Sequence, residues 1–472
     1  MRILLSFITL FSAFLLFGQN TKDVLSSIKK NQKMYNEAAL KIWNLAEVGY
    51  QEYESSKILI DLLKSEGFTI EEGVAGIPTA FVATYGTGSP VLGVLGEYDA
   101  LPGISQKATT SKQPLIPEGA GHACGHHLFG VASAASAIAA KEWLQKTKSS
   151  GTIKFFGTPA EEGGSGKVYM VREGLFEGVD AVLHWHPSGL NAASPFTTLS
   201  NKTGKFRFYG VSAHASGAPE RGRSALDGVE AMNHMVNMMR EHTTEKTRIH
   251  YVITKGGKAP NVVPDFAEVY YYVRHPDPQE VKELWNRLEN AAKGAALGTD
   301  TEVKIEVTGG VYNVLRNDAL QEMVYNNLIK VGGITYSEDE VKFATEIATT
   351  LGKSAKPLTK ANEVEAFQFR TVPASTDVGD VSWAVPTAGL NTATWVPGTA
   401  AHSWQAVAAG GMTIGLKGME VAAKTLALSL QQLYTDDTIL TQAAQEFKER
   451  QGSNFTYEPL IGQRAPALDY RK

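Results

Sequence analysis

The feature that most constrains the fold is a change in the spacing of apolar residues near residue 200. Before it, short apolar runs bounded by turn residues alternate with helical patterns. The runs cover residues 78–85, 91–95, 152–156 and 180–185. Such runs are typical of buried strands, and the Ala-rich segment 131–144 predicts a helix between two of them. Strands alternating with helices predict an α/β fold, with functional loops at the strand ends.

The segment after residue 200 has a different pattern. Strand patterns cover residues 205–211, 248–254, 267–274 and 302–307, and helical patterns cover residues 224–241 and 278–295. The order β-α-β-β-α-β predicts a ferredoxin-like α+β unit of about a hundred residues. The α/β pattern then resumes and ends with a helix over 411–433. We therefore interpret residues 201–309 as a domain inserted between two parts of a catalytic domain, 19–200 and 310–472.

The N-terminus carries a targeting pattern. Arg2 precedes an apolar run over residues 3–17, and Gly18 follows it. This pattern predicts a signal peptide over residues 1–18 and export to the periplasm or the medium. The run is too short for a comfortable membrane span, although an uncleaved anchor is the alternative. Net charge is −4 without a basic block, so no nucleic-acid partner is expected.

Residues 121–127 (GHACGHH) hold the only cysteine of the 472 residues among three of the eleven histidines. Thiolate and imidazole are ligands that zinc prefers. Gly125 separates Cys124 from His126, and a bend at this glycine would let both side chains reach one ion. Taken alone, the pattern fits better a buried free cysteine beside solvated histidines, because two ligands do not make a site. A single cysteine cannot form an internal disulfide in an exported chain, and this favours metal ligation.

Further candidate ligands follow separate strand patterns. Glu161 and Glu162 come after the run 152–156, His186 ends the run 180–185, and His402 lies in a loop of small residues. Each has an ordinary alternative: a solvated acidic pair, a core histidine like its neighbour His184, or a neighbour of a helix cap. The combined candidate set is Cys124, His126, Glu162, His186 and His402. Five ligands are too many for one tetrahedral zinc, so we expect two ions that share one bridging ligand.

Motifs spread over nearly the whole mature chain resemble a known family. They are residues 96–103 (GEYDALPG), 122–126 (HACGH), 158–162 (TPAEE), 210–215 (GVSAHA), 261–265 (NVVPD), 375–382 (STDVGDVS) and 398–402 (GTAAH). With these motifs in the same order as in that family, the chain resembles the aminoacylase and glutamate-carboxypeptidase group of two-metal amidohydrolases. The resemblance extends to the branch that acts on p-aminobenzoyl-glutamate. It implies a three-layer catalytic domain with a mixed sheet, and an inserted lid or dimerisation domain.

The resemblance also implies roles for individual residues. The five candidate ligands match the family's metal ligands. Glu161 matches its general base, and Asp99 matches an aspartate that supports the metal ligands. His214 matches a histidine that reaches into the neighbouring subunit's active site. Asn261 and Arg274 match positions that hold a substrate carboxylate, although a surface ion pair is the alternative for Arg274. Many relatives have a metal-binding histidine where this chain has Glu97, which we do not count as a ligand.

The expected activity is therefore metal-dependent hydrolysis of the amide bond of N-acyl or N-aroyl amino acids, with p-aminobenzoyl-glutamate as prototype. The implied cofactors are two divalent ions, zinc or manganese, with cobalt as a further option. The implied partner is a second copy or a sister chain, held through the inserted domain as a homodimer or a heterodimer. One alternative is a dipeptidase for basic or β-alanyl dipeptides. Another is a non-catalytic metal-binding subunit, against which the intact Glu161 argues.

Overall fold

The computed structural model of the protein describes residues 22–472. The predicted signal peptide, residues 1–18, lies outside the described residues and stays a prediction. Within the described part, no helix combines the length and the apolarity that a membrane crossing requires.

The helices and strands alternate along most of the chain. The helices are α1 (Gln32–Leu45), α2 (Tyr53–Ser65), α3 (His126–Thr147), α4 (Gly166–Arg172), α5 (Ala225–Met239), α6 (Pro278–Gly298), α7 (Asp318–Val331), α8 (Glu338–Thr350), α9 (Val378–Ala384), α10 (Trp404–Gly410), α11 (Thr413–Thr435) and α12 (Asp437–Gln451). The strands are β1 (Thr69–Glu72), β2 (Phe81–Thr87), β3 (Val91–Gly96), β4 (Gly151–Gly157), β5 (Ala181–Ser188), β6 (Phe196–Thr197), β7 (Ser200–Tyr209), β8 (Arg248–Lys255), β9 (Phe266–His275), β10 (Glu302–Val311), β11 (Arg370–Thr371) and β12 (Thr387–Ala393).

The larger sheet has six strands in the order β1-β2-β4-β3-β5-β12. Strands β4, β3, β5 and β12 pair in parallel, whereas β1 and β2 pair antiparallel. The sheet is therefore mixed, and the predicted α/β class is confirmed. Because the four parallel strands end at one edge, the loops that follow them meet there. The Ala-rich helix α3 packs against β3, β4 and β5, and against α11.

The smaller sheet has four antiparallel strands in the order β10-β7-β9-β8. Helices α5 and α6 pack on it around a separate core, which includes Phe206, Tyr271 and Trp285. Ser224 caps α5 by accepting a hydrogen bond from the Asp227 N–H, which satisfies one free donor of the first turn. This arrangement is the ferredoxin-like unit that the strand and helix order predicts.

Helix α3 and strand β12 are among the elements that differ from the sequence expectation. Helix α3 begins at His126 rather than near residue 131, because Gly125 has a left-handed φ of 76° and starts the helix directly after the cysteine. Strand β12 (TAGLNTA) had no predicted counterpart, since small residues and glycine carry little strand propensity. It is fixed instead by parallel pairing with β5 along its whole length.

Candidate active site

The Cys124 loop is shaped by one glycine. A Cβ atom added at Gly125 would lie 2.7 Å from Pro187 Cβ, and its φ is positive, so a larger residue is excluded on both grounds. The bend places Cys124 before helix α3 and His126 on its first turn. Cys124 Sγ then lies 3.3 Å from Nε2 of His186 on strand β5.

All five candidate ligands meet at the carboxyl edge of the larger sheet. They form two groups, Cys124–His126–His186 and Cys124–Glu162–His402, and within each group the potential ligand atoms lie within 4.8 Å of one another. Cys124 is common to both groups. The His402 loop is held in place by a backbone hydrogen bond of 3.0 Å from the His402 N–H to the Ala123 carbonyl.

Several buried atoms at this centre have no hydrogen-bond partner, namely His126 Nε2, Glu162 Oε1 and Glu97 Oε2. His126 Nε2 and Glu97 Oε2 are 3.0 Å apart, as are His402 Nε2 and Glu162 Oε1, but neither pair has hydrogen-bond geometry. Leaving such atoms buried and unpaired costs about 1–3 kcal/mol each. Sulfur, imidazole and carboxylate donors aimed at a common space fit a borderline-soft divalent cation.

Asp99 contacts one residue in each of the two ligand groups. Its Oδ1 lies 2.8 Å from His126 Nδ1, and its Oδ2 accepts a hydrogen bond of 2.9 Å from the Glu162 N–H. The hydrogen bond at Nδ1 leaves Nε2 of His126 facing the site. A carboxylate that orients a metal-binding histidine in this way is usual in metalloproteins.

A buried charge network extends from Glu97. Lys167 Nζ lies 2.6 Å from Glu97 Oε1 and 2.7 Å from Asp377 Oδ1, and all three side chains are fully buried. Burial opposes ionisation of Glu97, but attraction to Lys167 and His126 outweighs it and holds the Glu97 pKa well below its usual range. Glu97 also belongs to a third group of potential ligand atoms, with His126 and Glu161. Lys167 was missed in the sequence, since a lone lysine on a short helix carries no local signal.

Glu161 lies beside the two ligand groups without belonging to either. Burial, together with repulsion from Glu97 and Glu162, holds the pKa of the Glu161 carboxyl well above its usual range. A carboxyl group with a raised pKa can both accept and return a proton near neutral pH. Burial likewise raises the pKa of the Cys124 thiol, which becomes a thiolate when a metal binds it.

Two cavities meet at these residues. The first, of about 540 Å³, is called the apolar cavity here after the large apolar side chains that line it. It is also lined by the candidate site residues and by Arg370. The large apolar side chains are Phe129, Leu190, Phe196, Val372, Val378 and Leu390. The second, of about 630 Å³, is called the arginine cavity because Arg274 and Arg471 line it, with Tyr270, Tyr272 and Tyr470. Both cavities are bordered by Glu161, Glu162 and His402.

The remaining two predicted site residues lie elsewhere. His214 and Asn261 are exposed and line neither cavity of their own chain. They are neighbours, since the Ala215 N–H donates to the Asn261 carbonyl at 3.0 Å and His214 forms a β-bridge with Val262. Arg274, by contrast, lies beside the site, with Nη1 3.5 Å from Ser375 Oγ.

Residues 198–300 match the family model of the peptidase dimerisation domain. The chain is 39% identical over 450 residues to the B subunit of p-aminobenzoyl-glutamate hydrolase from Escherichia coli K12, covering 90% of this chain and 94% of that protein. The chain belongs to the M20 family of metallopeptidases and amidohydrolases. It is therefore a hydrolase of amide bonds with a metal-binding site and a dimerisation domain.

Two further proteins are similar to this chain over most of its length. Human Xaa-Arg dipeptidase is 30% identical over 364 residues, 73% of each chain. A solved dinuclear metal-binding M20 peptidase from Bacillus subtilis has the same fold with a TM-score of 0.53 and 17% identity, covering 85% of this chain and 99% of that one. The M20 fold thus extends over both the larger sheet and the inserted domain.

Proposed function

We propose that the protein hydrolyses N-acyl or N-aroyl amino acids whose amino-acid part is acidic, with p-aminobenzoyl-glutamate as prototype. The observation that carries the proposal is the junction of the two cavities. A substrate amide at Glu161, Glu162 and His402 places an acyl or aroyl group among the apolar side chains and the free carboxylates beside the arginines. The name of the E. coli relative agrees with this substrate class.

The proposed cofactor is a pair of divalent cations, zinc or manganese, held by Cys124, His126, Glu162, His186 and His402. Two groups of three ligand atoms with Cys124 in common support a pair rather than a single ion. Such ions, when bound, supply Lewis acidity and lower the pKa of water to about 7. The related B. subtilis peptidase is a dinuclear metal-binding protein, which is in line with this number.

Glu161 takes the role of general base in this proposal. Its carboxylate accepts the proton of the attacking water and then donates it to the nitrogen of the leaving amino acid. Asp99 keeps His126 in the tautomer that presents Nε2 to the site. Arg274 binds a substrate carboxylate from the inserted domain, where its charged N–H groups make stronger hydrogen bonds than neutral donors would.

The site is proposed to be completed by a second chain. The dimerisation domain is present, and its outer strand β8 exposes Tyr251, Val252 and Ile253 at the sheet edge. An edge strand of this kind is suited to pairing with another chain. His214 is exposed on the same domain, from which it would reach the partner's site and stabilise the negative oxygen of the transition state. The partner is a second copy or a sister chain, because the E. coli relative is by its name one part of a multi-subunit enzyme.

Trans complementation tests this arrangement. Chains with Glu161→Ala and chains with His214→Ala should each be inactive as homodimers. Random mixing should restore about a quarter of wild-type activity, because half of the dimers are mixed and one of their two sites is intact. The measurement is hydrolysis after co-expression with two affinity tags. Two differently tagged Glu161→Ala chains serve as control and should stay inactive. Mixed dimers isolated through both tags, confirmed as dimers by light scattering and found inactive, would exclude His214 acting in trans.

A substrate panel tests the activity itself. The metal-loaded protein should release amine from p-aminobenzoyl-glutamate and N-benzoyl-glutamate faster than from β-alanyl-lysine or other basic dipeptides. The reason is that two arginines in one cavity repel a basic side chain. Preference for basic dipeptides would favour the dipeptidase alternative, to which the human relative's name points. No hydrolysis of any compound, with two metals bound, would favour the non-catalytic role.

A further inference from the structure

The segment 452–472, called the tail here, folds back across the molecule after helix α12. Its backbone carbonyls accept hydrogen bonds from the catalytic domain, at 2.8 Å from Arg172 to Arg464 O and at 2.8 Å from Gln51 to Leu468 O. The side chain of Arg464 in turn donates to the Val307 carbonyl of strand β10 at 2.9 Å. The tail therefore has a defined path that touches both the larger sheet's domain and the inserted domain.

Tyr470 anchors the last part of this path beside the site. Its ring packs edge-on against Tyr50, with centroids 5.5 Å apart, and its hydroxyl donates to the Glu162 carbonyl at 3.1 Å. The approach depends on a glycine, since a Cβ atom added at Gly49 would lie 2.1 Å from the Tyr470 hydroxyl oxygen. The next residue, Arg471, is thereby brought to the backbone of a candidate metal ligand.

Only part of the hydrogen-bonding capacity of the Arg471 guanidinium is satisfied within the protein. Its Nη2 donates to the Glu162 carbonyl at 2.8 Å, and its guanidinium lies 5.0 Å from the Tyr470 ring centroid. Its Nε is buried and has no hydrogen-bond partner among residues 22–472. Within the same described range, neither Arg471 nor Arg274 has a carboxylate oxygen within 4.0 Å, although both line the arginine cavity. Glu161, Glu162 and Asp377 line the same cavity, but neither guanidinium group forms an ion pair with them.

We propose that Arg471 is a specificity-determining residue that binds the side-chain carboxylate of an acidic amino acid, while Arg274 binds its α-carboxylate. The inference rests on the proposed function and narrows it. Two carboxylates on one amino acid match two arginines that come from different segments of the chain. A planar guanidinium is suited to a carboxylate, to which it donates charge-assisted hydrogen bonds.

A purely structural role makes a different prediction. If Arg471 only fixes the Glu162 carbonyl, its removal lowers kcat for every substrate alike, because the metal ligand shifts. If it binds the side-chain carboxylate, its removal affects acidic substrates selectively and mainly through KM. Substrate pairs that differ only in this carboxylate therefore separate the two roles, and p-aminobenzoyl-glutamate with p-aminobenzoyl-glutamine is such a pair.

The experiment compares wild type with Arg471→Gln, Arg471→Lys and the control Lys472→Gln, an exposed neighbouring cation that lines neither cavity. Arg471→Gln should lower kcat/KM for the glutamate substrate by about 10- to 100-fold, which is the loss expected for a charged hydrogen bond. It should lower kcat/KM for the glutamine substrate by less than about threefold. Arg471→Lys should recover part of the loss because it keeps the charge. Lys472→Gln should match wild type. Thermal unfolding midpoints verify that all variants are folded.

Binding of products provides a readout without turnover. Calorimetric titration of the Glu161→Gln protein should show that L-glutamate binds more tightly than L-glutamine, and that adding Arg471→Gln removes the difference. Equal losses for both substrates would overturn the inference and leave a positioning role. The proposed function fails in a distinguishable way, since wild type itself would then hydrolyse neither substrate.

Discussion

Glu161→Gln is expected to lower kcat at least about 10³-fold, at the upper range of what a general base contributes, while two metals stay bound per chain. The amide has the shape of the carboxyl group but cannot accept the proton of the attacking water. Glu161 belongs to neither of the two groups that share Cys124, so its replacement should leave the metal ligands intact. Glu161→Ala should behave in the same way. Steady-state kinetics together with elemental analysis of the same sample makes the measurement.

Glu52→Gln is the matched control. Glu52 is also buried, and it accepts a hydrogen bond of 2.8 Å from the Ala160 N–H directly before the Glu161–Glu162 pair, but it lines neither cavity. Burial and the nearby Asp99 raise the Glu52 pKa to about 8. The side chain is therefore largely protonated at pH 7, and glutamine imitates that form. Activity within about threefold of wild type is expected at pH 7. If Glu161→Gln were equally active, the general base would have to be another group.

Cys124→Ala is expected to have the largest effect on metal content. Because Cys124 belongs to both ligand groups, its loss leaves only two of the five proposed ligands for each ion. We expect bound metal to fall from two per chain to less than one after dialysis, and activity to be lost with it. The small side chain fits the space, so the protein should still fold. The measurement is elemental analysis of the dialysed protein, with its unfolding midpoint recorded with and without added zinc.

His127→Gln is the control for this experiment. His127 lies in the same stretch and is fully buried, but its Nε2 contacts the Gly410 carbonyl at 3.0 Å rather than the site. Its variant should retain both metals per folded chain. A thiol reagent adds a second readout on wild type, because Cys124 is the only cysteine. The thiol should react after chelation and be protected when zinc is restored. Two metals retained by Cys124→Ala would exclude a shared thiolate.

The class of fold and the convergence of the five candidate ligands were predictable because they depend on the spacing of apolar runs and on the residues that follow them. Apolar runs predicted β3, β4 and β5, and the residues that follow them had to meet at one sheet edge. Strand β12 was not predictable, because its residues become a strand only through pairing with β5. Lys167 and Arg471 carry no local pattern either. Each is brought to the site by tertiary contacts, Lys167 with Asp377 and Arg471 with Glu162, across 210 and 309 residues of chain.

The connection between the two sheets has a mechanical consequence. The chain enters the inserted domain on β7 and leaves it on β10, and these strands are paired side by side, with Lys202 opposite Gly310. The two covalent connections of the inserted domain therefore lie side by side in one two-stranded ribbon. Arg464 bonds to Val307 beside this ribbon. The Arg464 side chain thus fastens the tail to this ribbon while its carbonyl accepts from Arg172, so one residue links the segment that carries Arg471 to both domains.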